Sequence, residues 1–122
     1  MICRGVRGAI SVEENNPDSI LNATRQLLEQ IIQKNGILKE DVPSVIFSAT
    51  DDLDAVYPAK AARDLGWTET ALMCMQEMKV TGSLRMCIRV LIHWNTDIPQ
   101  AEIKHIYLGE AKKLRPDLSE KM

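Results

Sequence analysis

Residues 2–12 alternate in character. Val6, Ile10 and Val12 fall on one side of an extended chain, and Cys3, Gly5, Arg7, Ala9 and Ser11 fall on the other. That period of two predicts a strand with one buried face. The period then lengthens. Ile20, Leu21, Leu27, Leu28, Ile31 and Ile32 recur at helical spacing. Asn16 can cap, Pro17 suits a first helical position, Asp18 complements the helix N-terminus, and Asn35-Gly36 supplies a stop, so a helix is predicted over 17–35. Val45 to Ala49 is a short β-rich run. After a loop carrying Asp51, Asp52 and Asp54, Pro58 opens a short helix that Gly66 closes. Ala71 to Met75 reads as a third strand, Gly82 as a turn, and Met86 to Trp94 as the fourth and clearest strand. Pro99 begins another turn, Ile103 to Leu108 reads as a fifth strand, and residues from about 110 to 122 read as a polar tail.

This order predicts an α/β (α+β) chain, with a mixed sheet of about five strands and two main helices in a single domain over 1–122. Two helices are enough to cover one face of such a sheet. The other face, or the edges, is expected to be covered by another subunit.

Composition narrows the function classes. Fifteen Lys and Arg face seventeen Asp and Glu, for a net charge of −2. No basic block or acidic tail stands out, which argues against nucleic acid or a polybasic membrane contact. No apolar run approaches the roughly 20 residues of a membrane helix, and the start lacks a secretory leader's apolar stretch. Three cysteines, Cys3, Cys74 and Cys87, are few and unclustered, as expected of reduced thiols in a cytoplasmic protein. No CxxC or HxxxH spacing is present to hold a metal, and Asp51, Asp52 and Asp54 lack the glycine and terminal glutamate of a calcium loop, so they are read as capping and solvated groups. Neither a phosphate loop nor a nucleophile elbow occurs.

The residues that do not fit a plain core are arginines. Arg89 interrupts an apolar strand, on the face it shares with Cys87, Leu91 and His93. It must meet an anion, whether a carboxylate of its own chain or a ligand in a cavity, or open to water. Arg7 stands among small neighbours, which leave room for a ligand; the alternative is a bulge at Gly5 and Gly8 with Arg7 solvated. Lys60 and Arg63 share one face of the short helix. Several arginines on separate elements suit a carboxylate ligand, because the planar guanidinium binds carboxylate bidentately. Glu77 and Cys74 offer a hydrogen-bond acceptor and a weak donor.

Five segments together resemble the small monofunctional chorismate mutases of the AroH class. They are Arg4-Gly5-Val6-Arg7-Gly8-Ala9; Tyr57-Pro58-Ala59-Lys60-Ala61-Ala62-Arg63; Cys74-Met75-Gln76-Glu77-Met78; Cys87-Ile88-Arg89-Val90; and His105-Ile106-Tyr107-Leu108 with Leu114-Arg115-Pro116-Asp117-Leu118. The resemblance implies a homotrimer whose sheets pack into a pseudo-α/β barrel, with active sites between subunits. It implies rearrangement of chorismate to prephenate for aromatic amino-acid biosynthesis, with no cofactor and no metal. By the same resemblance Arg7, Arg89, Glu77, Cys74 and the Tyr107 backbone form the inner site, while Tyr57, Ala59, Lys60, Arg63, Met73, Leu114 and Arg115 line its wall and mouth. Met73 departs from the polar Thr that often precedes that cysteine in relatives, making the wall more apolar. The rival readings are a trimeric hydrolase or deaminase, for which Glu77 is the candidate base, and a non-catalytic sensor of carboxylate metabolites.

Overall fold

A computed structural model describes residues 1–114. Of the expected tail, Arg115 and the residues after it lie outside the described residues. In chain order the elements are β1 (Ile2–Ser11), α1 (Pro17–Asn35), β2 (Ser44–Ala49), α2 (Ala59–Asp64), β3 (Ala71–Gln76), β4 (Cys87–Thr96) and β5 (Ile106–Leu108). The five strands form one mixed sheet in the order β3-β2-β4-β1-β5. β4 is its centre, antiparallel to both β1 and β2, and the two edge strands are added in parallel.

Helix α1 starts and stops where its capping residues stand. Asn16 Oδ1 accepts from the Ser19 amide at 2.8 Å, satisfying one of the free N–H groups of the first turn. At the other end Gly36 adopts φ 72°, and its amide donates to the Ile32 carbonyl at 2.8 Å, a left-handed cap that costs glycine little. The apolar stripe of α1 buries Ile20, Leu27, Leu28 and Ile31 against Val6, Ile10, Val45, Phe47, Ile88, Val90 and Ile92 of the sheet. Each such side chain contributes about 1.5–3 kcal/mol by leaving water. α1 packs closely on β1 at Gly8, where a Cβ would meet Ile31 Cδ1 at 2.7 Å and the Ile106 carbonyl at 3.0 Å. Gly8 therefore marks a close contact and not a bulge: β1 pairs with β4 without interruption from Ile2 to Ser11.

Both helices contribute to this one core, so the other face of the sheet is left with a smaller cluster at one end, Ala9, Cys87, Tyr107 and Ala111 with Leu84 and Leu114 against it. Ala111 is fully buried there, within a 3-10 turn over Gly109–Lys113. The expected tail thus begins as packed structure, because the small alanine fits beside Tyr107. The fifth strand is shorter than its apolar pattern suggested. Asn35 Nδ2 donates to the Lys104 carbonyl and Asn35 Oδ1 accepts from the Lys104 amide, both at 2.9 Å, so residue 104 bonds to the end of α1 instead of the sheet. At the start of β4, Met86 turns through φ 52° and stands outside the strand, which runs on past Trp94 to Thr96.

Candidate active site

Strand register assembles the open face of the sheet. Across it, Tyr107 of β5 lies beside Ala9 of β1, Ala9 beside Arg89 of β4, Arg89 beside Ser48 of β2, and Ser48 beside Met75 of β3. The next row carries Arg7, Leu91, Ile46 and Met73. Paired residues project to the same side, so Arg7 and Arg89 stand diagonally on neighbouring strands with their guanidinium groups over one surface. Arg7, Ala9, Ile46, Ser48, Arg89 and Tyr107 line a cavity of about 190 Å³ there.

Arg7 is held through its main chain and Arg89 through its side chain. The Arg7 amide donates to His105 Nδ1 at 2.9 Å, just ahead of the point where β5 takes over the pairing at Gly8 and Ile106. Arg89 finds its carboxylate in Glu77, with Nε 3.1 Å from Oε2. The Nε–H is not aimed at that oxygen and has no hydrogen-bond acceptor among the described residues, so the contact is Coulombic. Ser48 Oγ donates to the same Oε2 at 2.7 Å. The Glu77 amide donates to the Ala49 carbonyl at 2.8 Å, extending the β2–β3 pairing by one residue and carrying the side chain toward β4.

The segment leading to Arg89 is fixed by the aspartates of the loop after β2, which turn out to be tied up and not merely solvated. Asp51 pairs with Arg85 and with Lys79, the latter at 3.6 Å. Asp52 accepts from the Met86 amide at 3.1 Å and pairs with Arg85 Nε at 3.3 Å. The Arg85 hydrogen bond holds the Asp51 carboxyl below the usual carboxylate range. Thr50 Oγ1 accepts from the Cys87 amide at 3.0 Å, closing β2 against the start of β4. Burial pushes the Cys87 thiol up to about 11, so it is a packed apolar group and not a nucleophile.

Of the remaining expected site residues, Met73 and Leu114 stand on the open face and the others lie away from it. Cys74 pairs with Phe47 and projects to the helix-covered side, against the core. With Tyr57, Pro58 and Met75 it lines a second cavity of about 600 Å³, which shares no lining residue with the first. Tyr57 and Met73 are exposed, at 71% and 59%. Ala59 is buried within α2, Lys60 pairs with Asp64 at 3.1 Å, and Arg63 is exposed. Leu114 packs on the small cluster around Tyr107. One chain thus carries two separate groups, with Arg7, Arg89, Glu77 and Tyr107 in one and Tyr57 and Cys74 in the other. Sequence reasoning missed Ser48, and quoted His105 only within a matching segment, without its bond to the Arg7 amide. Ser48 does break the apolar run of β2 at an alternate position, but its neighbours become known only from the register. Among the described residues no cluster of His, Cys, Asp or Glu is arranged to hold a metal ion, and no helix is long and apolar enough to cross a membrane.

A mixed five-stranded sheet with helices on one face and two arginines lining a cavity on the other makes this a small α+β protein, and paired guanidinium groups are chemistry suited to a carboxylate. The family is specific. Residues 3–118 match the model of chorismate mutase type I, and the chain belongs to that family. It is 52% identical over 120 residues to chorismate mutase AroH of Bacillus subtilis (strain 168), covering 98% of this chain and 94% of the relative. It is 50% identical over 116 residues to chorismate mutase AroH of Thermus thermophilus, covering 94% and 95%. A solved chorismate mutase of Clostridium thermocellum superposes with a TM-score of 0.88 at 51% identity, over 89% of this chain and 97% of that one.

Proposed function

We propose that this chain rearranges chorismate to prephenate, an isomerase step of aromatic amino-acid biosynthesis, at sites shared between the subunits of a homotrimer. The observation that carries the reading is the pairing of Arg7 and Arg89 over one cavity, with Glu77 beside Arg89, in a chain of this family.

Chorismate is a dianion, with one carboxylate on its ring and one on its enolpyruvyl side chain. The rearrangement is concerted: a carbon–oxygen ether bond breaks as a carbon–carbon bond forms, and no proton moves. The site therefore needs no nucleophile and no base. It has to hold a flexible substrate in its compact reactive conformer and place charge where charge develops. As the ether bond breaks, negative charge gathers on the ether oxygen and the enolpyruvyl fragment while the ring becomes electron-poor. Arg89 donates to the ether oxygen, and Arg7 clamps the side-chain carboxylate. Glu77 accepts from the ring hydroxyl and faces the electron-poor ring. Tyr107 contributes its backbone N–H, and Cys74 a weak hydrogen bond.

The separation of the two residue groups within one chain supports a shared site. The Tyr57–Cys74 wall of one subunit completes the Arg7–Arg89 floor of the next, with Lys60, Arg63 and Arg115 gathering the dianion at the mouth. The open sheet face, with Met73 and Met75 exposed on an edge strand, is the surface such an assembly covers. The test has two arms. The purified chain should deplete the ultraviolet absorbance of chorismate and form prephenate. It should also sediment at about 41 kDa, three times the 13.7 kDa chain. An inactive protein overturns the activity, and a fully active monomer overturns the shared site.

A further inference from the structure

We propose that Ser48 is a positioning residue for the site: its hydroxyl keeps the Glu77 carboxylate from collapsing onto Arg89, so that both charged groups stay available to substrate. This deepens the reading above and rests on it.

Glu77, just past the end of β3, and Arg89 of β4 are opposite charges reaching toward each other across β2, which lies between their strands, and they come near enough for an ion pair. A two-pronged arrangement is the strongest an isolated arginine and carboxylate can make, and it would engage the donors that the reaction needs. The structure shows a looser one. Only Nε comes within 3.1 Å of Oε2, and its N–H is not directed at it. The directed hydrogen bond to Oε2 comes instead from Ser48 Oγ, at 2.7 Å. Ser48 can deliver it because it is the cross-strand partner of Arg89. It thus stands on the open face beside the guanidinium, while the Glu77 backbone is bound to the next residue of the same strand, at Ala49. β2 therefore holds Glu77 at both its main chain and its carboxylate. Oε2 takes its directed hydrogen bond from Ser48 and none from Arg89 Nε. Oε1 is left for the ring hydroxyl, and the terminal Arg89 nitrogens for the ether oxygen.

The test is a mutant cycle read as kcat and KM separately. Ser48→Ala should lower kcat/KM about tenfold, chiefly through kcat. Ser48→Cys, which keeps the volume but donates weakly, should resemble it. Ser48→Thr, which keeps the donor, should recover activity to within about threefold of the parent. In a Glu77→Gln background, where no charged pair can collapse, Ser48→Ala should cost less than about twofold. An active parent with Ser48→Ala within twofold of it overturns the role of Ser48 alone. So does an equal loss in both backgrounds, the sign of a general packing defect. An inactive parent overturns the rearrangement itself, and the role of Ser48 with it.

Discussion

Replacing Arg89 with citrulline separates charge from shape at the centre of the site. Citrulline keeps the planar outline and most donors of arginine and loses the positive charge. Two magnitudes follow. The first is structural. Arg89 and Glu77 are 3.1 Å apart with side chains 42% and 24% exposed. A pair so open to water is screened and contributes about 0.5–1 kcal/mol to folding, so the melting temperature should fall by only a few degrees. The second is catalytic. A charged donor aimed at a developing oxyanion is worth about 3–4 kcal/mol, a factor of several hundred in rate. Semisynthetic protein assayed by chorismate depletion should therefore show kcat reduced by at least two orders of magnitude. KM should change much less, because the lost interaction strengthens as the ether bond breaks. If the site acted only by selecting a reactive conformer, shape would be enough. A kcat within about tenfold of the parent, with the fold intact, would refute the electrostatic account.

Cys74→Ser should retain most activity, since the reaction has no covalent step; a loss as severe as that of Arg89, together with a covalent adduct by mass spectrometry, would overturn that. Gly8→Ala should destabilise by about 1–3 kcal/mol, as overpacking does, because its Cβ would stand 2.7 Å from Ile31 Cδ1 and 3.0 Å from the Ile106 carbonyl; an unchanged urea midpoint would contradict the packing described. Burial raises the Cys87 thiol from 9.0 to about 11, so the stability it confers is complete below pH 9 and is lost as pH rises from there toward 11. Cys87→Ala should flatten that alkaline loss relative to the parent. The buried Cys87 should also resist alkylation under native conditions while the exposed Cys3 reacts.

Much of the fold was written in local pattern. Helix α1 carries its own start at Asn16, its own stop at Gly36 and a single apolar stripe, so its limits follow from side chains within a few residues of each other. The alternation in β1 and β4 likewise announces which side of each strand is buried, because the pleat obliges neighbours to opposite faces. The same alternation placed Arg7 and Arg89 on the sides of their strands away from the main core. What it could not say is which strands are neighbours. Register alone sets Arg89 beside Ser48 and Arg7 diagonal to Arg89, and register depends on pairings between residues 39 or more apart in the chain. Ser48 and the Asp51–Arg85 pair act only through contacts between distant parts of the chain, so no local pattern marked them. The short β5 and the packed turn at Ala111 have the same origin. Residue 104 is drawn from the sheet by Asn35, and Ala111 is buried by Tyr107, both distant choices that tertiary contact makes. Motif likeness named the site residues without their geometry. That Cys74 stands apart from the arginines within one chain is a fact of the folded sheet, because successive residues of β3 must face opposite sides, and Tyr57 joins it from the loop ahead of α2.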